Sequence, residues 1–185
     1  MVAPEAFVEE LAAARIGATF NQYARGPRAR LLRVRLTDYL ESRRRAGTLL
    51  VGEAPGYRGA RVSGIPFTSE RQLTGSGPAE ASATVVQRVL VQLGLDEDVL
   101  LWNVVPTHPG TSTSNRPPTC SEIAGGLRFL RELCEGRRAI AVGRTAERAL
   151  AAPGVRHPSH GGARAFEAGL IELLDRGEQL VSSWA

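Results

Sequence analysis

Apolar residues gather into three short runs bounded by polar or glycine positions: TLLVG at 48–52, VLLWNVV at 99–105 and RAIAVG at 138–143. Apolar residues at consecutive rather than alternating positions predict strands buried on both faces. Between the runs the spacing becomes helical. Residues 4–15 (PEAFVEELAAAR) carry a proline near their start, as a first helical turn allows. Residues 28–45 form a second, Arg-rich helical stretch, and residues 79–93 repeat apolar positions with helical period and stop at Gly94. Thr119 stands three residues before Glu122, a capping box that opens a helix running to about Glu135. A helix over 145–151, a brief strand near Gly154–Arg156 and a last helix over 163–175 complete the pattern. There is no internal repeat and no low-complexity linker.

Apolar strands alternating with helices predict an α/β fold, a three-layer α/β/α sandwich with a short, mainly parallel four-stranded central sheet. One domain is expected over 1–185, with a helical, Arg-rich part at 1–47 and an α/β core at 48–175. Such sheets bind ligands at the carboxyl ends of their strands. Three segments rich in polar residues and glycine fall there: Gly52–Arg61, Asn103–Arg116 and His157–Gly162.

Composition narrows the partner. The chain has 185 residues, 43% hydrophobic and 23% charged, an ordinary globular balance. No apolar run approaches the ~18–20 residues that cross a bilayer. Glu5, Glu9 and Glu10 stand where a signal peptide carries basic residues, so a cytoplasmic protein is expected. The net charge of +4 fits either a polyanionic partner or simply a basic enzyme. Between Arg15 and Arg45 nine Arg face only Asp38 and Glu41, a concentration that predicts a phosphate-contacting face including Arg43, Arg44 and Arg45. All 23 basic residues are Arg, which excludes chemistry that needs a lysine Schiff base. Cys120 and Cys134 are 14 positions apart, unlike a zinc or iron–sulfur spacing.

Each loop leaves alternatives open. In GEAPGYRGARVSGIPF (52–67) the glycines either merely turn the chain or let backbone approach a phosphate or a base. Glu53, directly after the first strand, is either a solvated loop carboxylate or a functional one. Asn103 lies inside an apolar run and must find partners, because an unpaired buried amide costs ~1–3 kcal/mol. It bonds nearby backbone, or it reads the edge of a pyrimidine with its donor and acceptor. His108 falls in a polar loop with no evident task. In HPSHGG (157–162) His157 is placed to donate to an anionic leaving group, and Ser159 with the following backbone N–H groups to hold a phosphate. A serine nucleophile is the competing reading there, but no G-x-S-x-G elbow is present.

Taken in order, these motifs resemble the uracil-DNA glycosylase superfamily. GEAPG (52–56) with Arg61, Gly64, Pro66 and Phe67 is similar to the first motif of its iron–sulfur-containing bacterial and archaeal branch. Asn103, NRPPT (115–119), AVGRTAERAL (141–150) and HPS (157–159) are similar to the regions that follow. The resemblance covers residues 48–170. It implies a monomeric enzyme of base excision repair that flips a damaged base, uracil, out of DNA and hydrolyses its glycosidic bond, releasing free uracil. Glu53 would sit near that bond and orient or activate water. Gly52 and Ala54 would line the base, Phe67 would stack on it, and Asn103 would pair with its edge. His157 would donate to uracil O2, and Ser159, His160 and Gly161 would hold the DNA backbone. The chain departs from the family in two ways. Neither Cys falls where the branch has cluster ligands, so no metal or cofactor is expected. Ala54 stands where the best-known branch has Asp, and Gly56 where it has the Tyr that blocks the thymine methyl. Two other functions compete: a low-turnover binding protein for uracil-containing or abasic DNA on the same fold, and an α/β hydrolase or nucleotide-binding enzyme.

Overall fold

The computed structural model describes residues 3–182, with side chains through Asp175. Three strands carry the core: β1 (Thr48–Gly52), β2 (Val99–Asn103) and β3 (Arg138–Val142). Their alternate residues face opposite sides, as the pleat requires. Leu49 and Val51 of β1, Leu100 and Trp102 of β2 and Ala141 of β3 enter one apolar cluster. Leu50, Leu101, Ile140 and Val142 enter the other. A two-residue strand, β4 (Gly154–Val155), completes an all-parallel sheet in the order β2-β1-β3-β4.

Helices cover both faces. Against the first cluster lie α1 (Pro4–Ala13), α2 (Ala29–Ser42) and α6 (Cys120–Cys134), contributing Phe7, Leu11, Leu36, Leu40 and Phe129. Phe7 meets Trp102 and Phe129 edge-on, each at 5.5 Å between centroids, a preferred aromatic geometry. The second cluster is closed by α5 (Ala81–Gln92) and α8 (Ala163–Ser182) through Val86, Val89, Leu90, Phe166 and Leu170. This is the three-layer arrangement that the apolar runs predict. The capping box at α6 also forms, with Thr119 and Glu122 each bonding the other's backbone N–H.

The loop after β1 holds more structure than its glycines suggest. It contains two short helices, α3 (Ala60–Ser63) and α4 (Glu70–Thr74). The N-terminal segment buttresses it: Tyr23 Oη donates to Gly64 O at 2.9 Å, and Arg28 and Arg35 both bind the Glu70 carboxylate. Gln22 donates to Pro106 O, and Phe20 pairs with His108 through two backbone bonds. Residues 14–35 thus clamp the loops after β1 and β2, and two arginines of the Arg-rich stretch, Arg28 and Arg35, are half-buried in ion pairs with Glu70.

Candidate active site

The chain runs from β1 outward to β2 and then returns to the other side of β1 to make β3. This reversal opens a crevice at the carboxyl ends of β1 and β3, the place where open parallel sheets bind ligands. A cavity of about 500 Å³ occupies it.

Glu53 leaves β1 at the mouth of this crevice. Its backbone stays in the ladder, since Val105 N–H donates to Glu53 O at 3.0 Å. Its carboxylate Oε2 accepts a short hydrogen bond from the hydroxyl of Thr145, in the first turn of α7 (Arg144–Leu150). One carboxylate oxygen is thereby held and the other left for the cavity.

The floor is built on a bare Cα. A methyl group at Gly52 would stand 2.4 Å from Phe67 Cζ and 2.8 Å from Asn103 Oδ1. The phenyl ring and the amide therefore converge on the space that glycine leaves. Phe67 holds a left-handed backbone, φ 50°, uncommon for a bulky residue and typical of constrained functional positions. Asn103 ends β2, is 4% exposed, and makes no hydrogen bond through its amide among the described residues.

His157 follows β4 and lines the same cavity. Ser159 N–H donates to its Nδ1 at 3.2 Å, and Ser159 Oγ lies 2.8 Å from the same nitrogen. With Nδ1 accepting, a neutral ring carries its proton on Nε2. Burial pushes the His157 pKa down, partly opposed by the charge of Glu53 and helped by His160. The result is a neutral imidazole with a free Nε2–H donor.

A family description, "Uracil DNA glycosylase superfamily", matches residues 41–180. The chain belongs to the uracil-DNA glycosylase superfamily. It is accordingly a DNA glycosylase, a hydrolase of base excision repair with DNA as its partner. Among solved structures it is similar to the "WT Pedobacter heparinus SMUG2", with a TM-score of 0.69 and 12% identity over 98% of this chain and 100% of that one, a likeness of fold. No curated protein matches.

The glycosylase gathers most of its expected site residues. Glu53, Ala54, Phe67, Asn103, His157, Ser159 and His160 line one cavity, with Gly52 beneath. Ser159, His160 and Gly161 form a turn directly before α8, with His160 and Gly161 at φ 51° and 75°. Arg43, Arg44 and Arg45 are not brought there. They follow α2 at the amino ends of the strands, where Arg43 bonds Asp96 O, Arg44 pairs with Glu41 and the Arg44 carbonyl accepts from Arg137. The length of β1, roughly 15 Å, separates them from the cavity.

Other residues differ from their reading in the sequence. His108 is fully buried, with Nδ1 2.7 Å from Pro55 O and Nε2 2.8 Å from Thr111 O. It is a pin between two site loops rather than an idle loop residue. Asn115 joins the same loops by accepting from Tyr57 N–H at 2.9 Å. Cys120 and Cys134 begin and end α6, about 21 Å apart at helical rise. Their thiols do not fit a shared iron–sulfur cluster. No group of metal-ligating side chains is found, and no helix is long and apolar enough to cross a membrane, among the described residues. Sequence reasoning missed Thr145 and Glu80, which also line the cavity. The rule that ligands sit at strand carboxyl ends points to Thr145, three residues beyond β3, whereas no local signal marks Glu80.

Proposed function

We propose that the enzyme flips uracil out of DNA and hydrolyses its N-glycosidic bond, leaving an abasic site and free uracil. The carrying observation is the Asn103 amide: nearly buried, aimed at the cavity and without a protein partner among the described residues. The amide opens on the cavity, where water meets it in the free enzyme and the edge of a base takes that water's place. Uracil presents an acceptor at O4 and a donor at N3, which the amide N–H and carbonyl of Asn103 answer. Phe67, beside it on Gly52, offers a stacking face.

Bond cleavage builds positive charge on the sugar and negative charge on the departing base. Glu53, oriented by Thr145, stabilises the first charge and directs water with its free oxygen. His157 donates its Nε2–H to uracil O2 as the second develops, without first having to lose a proton. Both act as preorganised electrostatics rather than as covalent catalysts. The turn at Ser159, His160 and Gly161, ahead of the positive end of α8, suits backbone phosphates. Flipping costs a few kcal/mol, least where the base is mispaired.

The test is an oligonucleotide with one uracil, treated with enzyme and then alkali. Multiple strand cleavages per enzyme support turnover, and cleavage limited to one per enzyme or fewer opposes it. Asn103→Asp should lose uracil excision and gain slow cytosine excision, since Asp accepts from the cytosine amino group and repels uracil O4. Unpaired polar groups of this kind support discrimination of roughly 10⁴-fold. Uracil release at the parent rate in that variant would sink base reading by Asn103.

A further inference from the structure

Two imidazoles meet one hydroxyl in the turn before α8. Ser159 Oγ lies 2.8 Å from His157 Nδ1 and 3.0 Å from His160 Nδ1. A hydroxyl owns a single hydrogen, so it donates to only one of the two rings. The backbone decides which. Ser159 N–H points at His157 Nδ1 from 3.2 Å, so that nitrogen carries a lone pair and not a proton. Were the hydroxyl turned to His160, its own lone pair would face the lone pair of His157 across 2.8 Å with no hydrogen between them. The arrangement free of that clash runs one way. His160 Nδ1–H donates to Ser159 Oγ, Ser159 Oγ–H donates to His157 Nδ1, and the His157 proton is left on Nε2.

The His160 backbone stands in the left-handed region, at φ 51°, which few residues other than glycine adopt. Its ring is exposed, and among the described residues it makes no hydrogen bond besides the one to Ser159. Burial of the ring therefore does not explain an imidazole at a position where glycine would sit without strain. The contact with the hydroxyl does.

We propose that His160 is a positioning residue, whose Nδ1–H aims the Ser159 hydroxyl and so holds His157 in the tautomer that presents Nε2–H to the departing base. This role rests on the reading of His157 as a donor to that base. His160 touches no reacting atom. It begins a chain of three donors that ends in the cavity, and each donor in such a chain polarises the next. Without it, the hydroxyl is free to turn away from His157.

Asn and Asp test the direction of the chain. Both tolerate a left-handed backbone, and both place a polar atom one bond from Cγ, where His160 has Nδ1. In Asn that atom can be a donor, whereas Asp offers acceptors alone. Single-turnover excision from a uracil-containing duplex at saturating enzyme separates the chemical step from DNA affinity. His160→Asn should keep most of the parent rate. His160→Gly, in which water stands in for the ring, should lose about five- to tenfold, the scale of one hydrogen bond, while its thermal midpoint holds or rises. His160→Asp draws the hydroxyl away from His157 and should lose more than His160→Gly. Imidazole nitrogen NMR should show His157 as the Nε2–H tautomer in the parent and in His160→Asn, and not in His160→Asp. On a His157→Gln background the three variants should converge. Equal rates for the Asn and Asp variants would overturn the proposal. So would an unchanged order on the His157→Gln background, which would mean that His160 acts on the DNA and not through His157. A parent that releases no uracil sinks the reading of the base, and the His157 tautomer in the Asn and Asp variants then decides the donor chain by itself.

Discussion

The hydroxyl of Thr145 donates to the carboxylate of Glu53 across the crevice between β1 and β3. The two residues are 92 positions apart, and the bond fixes which carboxylate oxygen faces the cavity. Thr145 acts through Glu53 and touches no substrate in this scheme. Thr145→Val should therefore lower kcat about 10- to 100-fold with little change in KM, the signature of an interaction that matters in the transition state. Glu53→Gln should cost more, about 10³-fold, while DNA affinity survives. Thr145→Ser should restore most of the rate, and a Val variant with parent kcat would show that Glu53 needs no such orientation.

Protonation of His157 gives the excision reaction a distinctive pH response. Its pKa in the folded chain lies below the ordinary 6.5, mainly through burial. Protonation at Nδ1 leaves the Nε2–H in place but breaks the bond from Ser159 N–H that orients the ring, so excision should hold from alkaline pH down past 6.5 and fall only as pH drops through that lowered value. The same shift makes a stability contribution that is complete above the unfolded value and lost as pH falls through the folded one. Rate profiles of the parent and His157→Gln test this. An acid limb in the parent that is missing from the Gln variant is expected, and a parent rate that climbs as pH falls through 6.5 would require imidazolium as the donor.

Replacing Arg43, Arg44 and Arg45 together with Gln should leave excision within about twofold of the parent. The slope of log affinity against log salt should also stay put, because every phosphate that a protein ceases to neutralise changes it by about 0.9. These residues stand at the amino pole of the sheet, where Arg43 and Arg44 have partners of their own. A slope shallower by two or three would mean that DNA reaches that pole.

Glu122 predicts an acid limit to stability. It is 1% exposed, and the Arg116 guanidinium beside it, helped by Thr119 N–H, holds its carboxyl down to about 2 from the usual 4.5. Because the folded value is the lower one, its stabilising contribution is complete above 4.5 and disappears as pH falls toward about 2. Denaturant midpoints measured across this window should fall steeply in the parent and less steeply in Glu122→Gln. Parallel curves would remove Glu122 from the acid response.

What the sequence discloses depends on range. The strands are legible because a buried parallel strand needs consecutive apolar residues, and Leu49–Val51 and Leu100–Trp102 supply them on both faces. Glu53, Asn103 and His157 are legible because each breaks the apolar or glycine pattern where a strand ends. Thr145 and Glu80 lack such a mark. One is an ordinary threonine in a helical turn, the other a glutamate among surface residues, and their surroundings come from segments 92 and more than 20 positions away. The arginine cluster shows a related limit: charge density says nothing of direction, and Arg28 and Arg35 turn out to pair with Glu70. His108 misleads likewise, since its two carbonyl neighbours lie on either side of it in space and only one is near in sequence.

Gly52 sets the terms on which this pocket can evolve. No other residue is small enough to occupy position 52 without pushing against both the Phe67 ring and the Asn103 amide, so the floor has no neighbouring variants to explore. The rim is different: Ala54, Gly56 and Glu80 are each only partly covered and interlock less tightly with the core. A lineage seeking a new damaged base would keep the Phe67 ring and the Asn103 amide, and would change its diet one rim residue at a time.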